Sequence, residues 1–297
     1  MRRWIATLST AAVAAMITPV LAAPAHAAQP VPAGPVTALK RQFAAGHGVK
    51  VTQTMTSVDF YGGSAKNSMT TRYEQKGTYL FGSSKVVGSD LTFQFKGPGG
   101  AWGSPLRLIS FPKVSYLRDD DLLGNLPEGK EWLRGSGDEP FLMSFQPVNV
   151  LEPATLKRLL ATTASTGRGG RIDGARTTLH RGVITVGQLY AVSPSFRSMV
   201  GEKPRGDSAT MQVRWKLWLD GRQRTRQLVS AYAESTQNLR YSSRSAVTVK
   251  TRFSGWGAKV ALYVPPAASV ADWEDLQFDE SVPARPRLSV PVPGRGA

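Results

Sequence analysis

The sequence predicts an α+β fold built on an antiparallel sheet with a few accessory helices, and three observations carry that reading. Short segments of alternating apolar and polar residues recur along most of the chain. Gly, Asp and Pro clusters separate them. No helical segment stands between most successive strands, which excludes repeated βαβ units. The clearest alternation runs from Met211: Val213, Trp215, Leu217 and Leu219 share its parity, while Gln212, Arg214, Lys216 and Asp220 take the other. Trp218 is the exception. Asp220-Gly221 then favours a tight reversal, and Leu228 to Ala233 returns as a second strand. One hairpin cannot bury so broad an apolar face, so more sheet or a lid must cover it.

With 41% hydrophobic residues, the 297-residue chain has an ordinary globular composition. Residues 1–27 read as a cleaved secretory signal. Arg2 and Arg3 lead into an apolar and small-residue run from Ile5 to Leu21, followed by the small-x-small site Ala25-His26-Ala27. A membrane anchor is the competing reading, but the run is Ala- and Thr-rich and Pro19 interrupts it. The expected product is secreted, with residues 28–35 a flexible leader, 36–278 a single domain and 279–297 a Pro/Arg-rich disordered tail. The lack of cysteine excludes disulfides, thiolate metal sites and cysteine catalysis. Lys and Arg total 37 against 21 Asp and Glu, a formal net charge of +16. The cations are spread from Lys40 to Arg295 without a dense block or a nucleic-acid motif, so they suit a solvated surface facing an anionic envelope and not a nucleic acid.

In chain order, Pro35 to Ala45 predicts a helix with Val36, Leu39 and Phe43 on one side, ended by Gly46-His47-Gly48 with His47 in an exposed loop. Strands are expected at Val49 to Met55, Met69 to Tyr73, Thr78 to Phe81 and around Leu91, Phe93 and Phe95, with breaks at Gly62-Gly63-Ser64 and Gly97 to Gly100. Leu106 to Leu117 gives two more around Pro112. Phe141 to Phe145 is apolar and ambiguous. Glu152-Pro153 opens a helix with the stripe Leu156, Leu159 and Leu160. Ser165 to Gly170 is a Gly-rich stop, Asp173-Gly174 a turn, and Arg176 to Val186 a strand. Val186 to Phe196 is a short helix or loop. After the Met211 hairpin, Ala246 to Phe253 alternates again, Gly255-Trp256-Gly257 is a turn, and Val260, Leu262 and Val264 form a last strand before Pro265-Pro266. Asp272 to Phe278 is a turn of helix.

Few residues invite chemistry. Asp119-Asp120-Asp121 lacks the spacing of a calcium loop, and neighbouring side chains diverge on an extended backbone, so a solvated loop is expected. Gly167-Arg168-Gly169-Gly170 follows a helix instead of opening one, the wrong order for cradling phosphate. His47 and His180 are the histidines beyond the signal, too few for a histidine metal site. The acid pairs Asp138-Glu139, Glu274-Asp275 and Asp279-Glu280 lie in polar or tail-like segments. No Gly-x-Ser-x-Gly elbow or Walker loop is present. Nothing here points to an enzyme or a cofactor.

Four segments carry a likeness to a known family. Pro127-Glu128-Gly129-Lys130-Glu131-Trp132 is a loop ending on Trp, and Asp173-Gly174 leads through Thr177-Thr178 and His180 to Arg181-Gly182. Val213 to Asp220-Gly221 with Arg224 is a Trp-bearing strand and turn. Phe253-Ser254-Gly255-Trp256-Gly257 leads on to Pro265-Pro266 and Ala271-Asp272. In this order they resemble the LppX/LprG-like lipoproteins of actinobacterial envelopes, which have a LolA-like fold, over roughly residues 36 to 275. The chain departs from them in lacking a lipobox cysteine, in placing Arg181 where an aromatic is common, in a shortened turn after Asp220 and in its basic tail. The resemblance implies a strongly curved half-barrel covered on its concave side by helices, with an apolar cavity for acyl chains, no enzymatic activity and no cofactor. Its lining is expected to include Phe93, Phe95, Leu156, Leu159, Leu160, Val213, Trp215, Leu217, Val247 and Val249. The expected ligand is a lipid or acylated molecule bound by a monomer. The alternative is an envelope sensor of the RseB kind that binds a protein; a hydrolase is a third, weaker reading.

Overall fold

The computed structural model describes residues 34–61, 67–97, 99–136, 145–237 and 242–276, all within one compact unit. The signal-like segment, most of the leader, Gly62-Gly63-Ser64, Pro98, Phe141 to Ser144 and the tail lie outside the described residues.

Helix α1 (Pro35–Gln42) opens the described chain, with Pro35 in the permissive first turn. Five strands follow as a meander: β1 (His47–Tyr61), β2 (Ser68–Phe81), β3 (Val86–Gly97), β4 (Gly100–Ser110) and β5 (Val114–Arg118). A one-turn helix α2 (Asp120–Leu123) leads to β6 (Trp132–Ser136), which pairs with β5. Helix α3 (Pro153–Ala161) feeds β7 (Thr163–Ile172) and β8 (Ala175–Thr185), joined at Asp173-Gly174. Three short helices, α4 (Val186–Val192), α5 (Pro194–Val200) and α6 (Gly206–Thr210), precede β9 (Gln212–Asp220), β10 (Thr225–Gln237) and β11 (Ser242–Lys259). Strand β12 (Val270–Asp272) adds to β6 in parallel.

The twelve strands form one open sheet in the order β12-β6-β5-β4-β3-β2-β1-β11-β10-β9-β8-β7. All pairings are antiparallel except that of β12 with β6. Two meanders therefore meet at the centre, where β1 pairs with β11 from His47↔Lys259 to Tyr61↔Ser243. The predicted class is observed: a mostly antiparallel sheet with a few helices.

Buried side chains of α1, α3, α4 and α5 join the side chains of one sheet face in a single core: Leu39, Leu156, Leu159, Leu189 and Phe196 meet Val51, Phe81, Phe93, Trp215 and Leu228. This face is called inner below. Polar contacts fix the helices on it. Thr185 and Gln188 form a reciprocal cap on α4, and Ser193 caps α5. Glu152, at the start of α3, accepts from the Thr155 and Ser193 hydroxyls (2.6 Å each) and the Ser195 amide (2.9 Å), which ties α3 to α5.

Four local expectations are corrected. His47 is a strand residue, the first of β1. Ser165 to Gly170 belongs to the edge strand β7; paired on one side only, it needs little side-chain packing, and Arg168 and Arg171 suit an edge that must not recruit another strand. Gly255-Trp256-Gly257 lies inside β11, where the two glycines take φ of 60° and 76° and shift the register without reversing the chain. Val260 to Val264 joins no ladder and crosses the outer face as an extended strap. Val260 Cγ2 lies 2.8 Å from where a Cβ on Gly48 would stand, and Leu262 Cδ1 lies 2.6 Å from the equivalent point on Gly88. Val260 and Leu262 thus face the sheet while Val264 is exposed, and the segment, tied by the Val260 amide to the Gly46 carbonyl (2.9 Å), follows the period of a strand without forming a ladder.

Candidate functional site

The inner face divides into two apolar regions. In the larger, Phe93, Leu156, Leu159, Val213, Trp215 and Leu217 are each no more than 2% exposed and belong to one core cluster, with Leu160 partly buried against it. Trp215 lies over Gly182, and its indole Nε1 donates to the Thr162 hydroxyl at 3.1 Å. These seven predicted lining residues form closed, interdigitated packing.

A polar belt bounds this region. Gln53 on β1 donates to Gln75 on β2 (3.2 Å) and accepts from Thr251 on β11 (3.0 Å). Gln146, from the segment before α3, donates to Thr251 (3.1 Å) and accepts from Ser230 on β10 (2.5 Å). Gln75 also donates to the Tyr79 hydroxyl at 3.4 Å. Side-chain amides buried this deeply are kept only when paired, and here they pair with one another.

Beyond the belt lies the second region. Register places Tyr73, Met55 and Val249 in one row, then Thr71, Ser57, Val247 and Tyr232, then Met69, Asp59, Ser245 and Glu234. Met55, Val247 and Val249 are buried, while Tyr73, Phe145 and Tyr232 pack on them half-buried. Phe95 joins edge-on to Tyr73, with ring centres 4.6 Å apart, and Phe145 lies 4.9 Å from Tyr73 on another side. Val247, Val249 and Phe95 are therefore gathered here, and Phe145 and Tyr232 also pack against the larger region, with the Phe145 ring centre 6.5 Å from that of Phe93. Aromatic rings that stay half-exposed around an aliphatic floor suit an apolar ligand better than closed packing does.

A polar rim ends this region. Asp59 Oδ1 accepts from the hydroxyls of Ser57 (3.0 Å) and Ser245 (2.5 Å). Burial first, and the Asp59 carboxylate second, push the Glu234 carboxyl up to about 7. Burial likewise raises the Tyr73 and Tyr232 phenols.

No family model matches the chain, and no curated protein matches it. Among solved structures it is similar to a DUF1329 family protein from Desulfovibrio piger, with 12% identity over 77% of this chain and 92% of that one and a TM-score of 0.25. It is also similar to a porin-like protein from Bacteroides uniformis, with 9% identity over 68% of this chain and 96% of that one and a TM-score of 0.22. Neither likeness bears on function at these values.

The remaining sequence candidates resolve into structural roles. Asp119 accepts from the Asp121 amide at 3.0 Å, and Arg118 reaches Asp120 and Glu131. No group of three potential metal ligands occurs among the described residues. His180 stands opposite Leu217, 3.4 Å from the Thr166 hydroxyl, and burial lowers its pKa. No helix among the described residues is long and apolar enough to cross a membrane. Sequence reading missed Asp59, Glu234 and the Gln53–Gln75–Thr251 belt. Their signal was faint: single polar residues at inward parity in otherwise apolar strands, which become a row only once the pairing is known.

Proposed function

We propose that the protein is an extracytoplasmic, non-enzymatic binder of a lipid or lipoconjugate, with a half-barrel sheet of the LppX/LprG-like, LolA-like kind. One observation carries this reading: the aromatic group Tyr73, Phe95, Phe145 and Tyr232 stays half-buried over Met55, Val247 and Val249, beside the polar belt, with Phe145 and Tyr232 also resting against the closed core. An acyl chain laid there would remove apolar surface from water at about 25 cal/mol per Å². The belt, already satisfied by its own hydrogen bonds, would mark the depth of insertion. Of the ten residues expected to line the site, Phe95 is the one in this region left part-exposed to touch such a chain; Val247 and Val249 lie buried beneath the aromatic rings, and the other seven hold the sheet and helices together.

Native mass spectrometry of the protein secreted by its own host, followed by organic extraction, tests this. An acylated adduct is expected, and Phe95→Asp with Phe145→Asp should abolish it while the circular dichroism spectrum is unchanged. A clean unliganded mass, unaltered by incubation with envelope lipids, would sink the reading and favour a protein partner.

A further inference from the structure

We propose that the outer face of the sheet carries a separate anion site, in the groove beside the C-terminal strap, that takes phosphoryl groups. This stands apart from acyl binding, because it uses the opposite face and other residues.

The end of β11 from Ser254 and the strap as far as Leu262 form one wall of the groove, and the outward side chains of β1, β2 and β3 form its floor; its volume is about 710 Å³. Lys50, Lys76, Lys259 and Arg107 line it against a single carboxylate, Asp90. That carboxylate is already committed. Arg107 engages it through two nitrogens, at 2.9 and 2.6 Å, while the guanidinium also lies 5.6 Å from the Trp132 ring centre and 5.7 Å from that of Tyr263. No ion pair to Lys50, Lys76 or Lys259 occurs among the described residues. Lys50 stands opposite Thr78 and Lys76 opposite Thr52, so the two ammonium groups are diagonal neighbours on one face. Such like-charge neighbours repel, and a bound anion would reverse the sign of the interaction. The hydroxyls of Thr52, Thr78 and Thr92 add donors. Uncommitted ammonium groups with hydroxyl donors on a small-residue floor are chemistry for a multiply charged oxyanion, such as a phosphoryl group, and poor chemistry for a neutral ligand.

The same face supplies a built-in control. Arg181, Lys216 and Lys250 are exposed on it along one register row, outside the groove. The experiment is calorimetric titration of the full secreted chain with inorganic pyrophosphate at low salt. Lys50→Gln/Lys76→Gln/Lys259→Gln should weaken binding at least about ten-fold, whereas Arg181→Gln/Lys216→Gln/Lys250→Gln, with the same loss of charge, should change it less than about three-fold. Circular dichroism should show both variants folded, since all six residues are exposed. Equal weakening by the two variants, or no saturable heat with the wild-type chain, overturns the proposal. Sedimentation with phosphatidylglycerol vesicles then separates the sources. Co-sedimentation that pyrophosphate competes away and the groove variant lacks assigns a lipid headgroup; pyrophosphate binding without co-sedimentation assigns a free phosphate.

Discussion

Glu234 is a residue whose charge the fold works against. Its carboxyl is raised to about 7 from an ordinary 4.5, so the folded chain holds the proton more tightly than the unfolded chain does. Stability should be undiminished below about pH 4.5 and fall as pH rises through 7. Glu234→Gln should therefore match the wild type in thermal unfolding at pH 4 and exceed it increasingly up to pH 8, by about 1–2 kcal/mol once solvent at the rim is allowed for. A difference that stays constant with pH would refute this account. At the same scale, the indole of Trp215 occupies the space where a Gly182 side chain would stand. Gly182→Ala should cost about 1–3 kcal/mol through overpacking, and Thr162→Val about 1 kcal/mol through the lost indole hydrogen bond; urea unfolding measures both. The inward parity of Trp215 was legible in the sequence. The need for Gly182 was not, because it arises from a partner on a neighbouring strand.

The strap is the element whose period misled. Val260 and Leu262 alternate because they cross over the sheet, with Gly48 and Gly88 left bare beneath them, whereas Val264 is exposed. Period two records alternate burial, and a ladder is only one cause of that. Leu262→Asp should release the strap without unfolding the sheet, seen as new cleavage near residues 258–264 in limited proteolysis while the global unfolding midpoint moves little. A wild-type cleavage pattern would show that Leu262 does not hold it. Gly255-Trp256-Gly257 was read as a reversal for a related reason. Positive φ at glycine serves a bulge as well as a turn, and the anchoring bond from Trp256 Nε1 to the Thr225 carbonyl (2.9 Å) lies on a different strand. The α3 stripe and the Met211 hairpin were legible because their determinants are local.

For the molecule as a whole, alternation in short segments gave the antiparallel class, but the division of the inner face depends on which strands are neighbours. The Gln53, Gln75 and Thr251 belt joins three strands, and no local pattern predicts it. At this scale the two binding proposals make opposite predictions for salt. Acyl binding on the inner face should persist or tighten as salt rises, while pyrophosphate binding in the outer groove should weaken steadily; titrating each ligand from low to high salt separates them.

The central pairing of β1 with β11 also has a kinetic consequence. Gln53 and Thr251, bonded across it, are 198 residues apart in the chain. Each meander can assemble from neighbouring strands, but the pairing that unites them must wait until nearly the whole sheet has emerged. Loop closure over that distance is slow. During that interval β1 and β11 expose the alternating edges that, in the finished protein, cover each other. The chain would spend its most aggregation-prone moments in that half-assembled state, and the time to close the seam would limit how fast it folds.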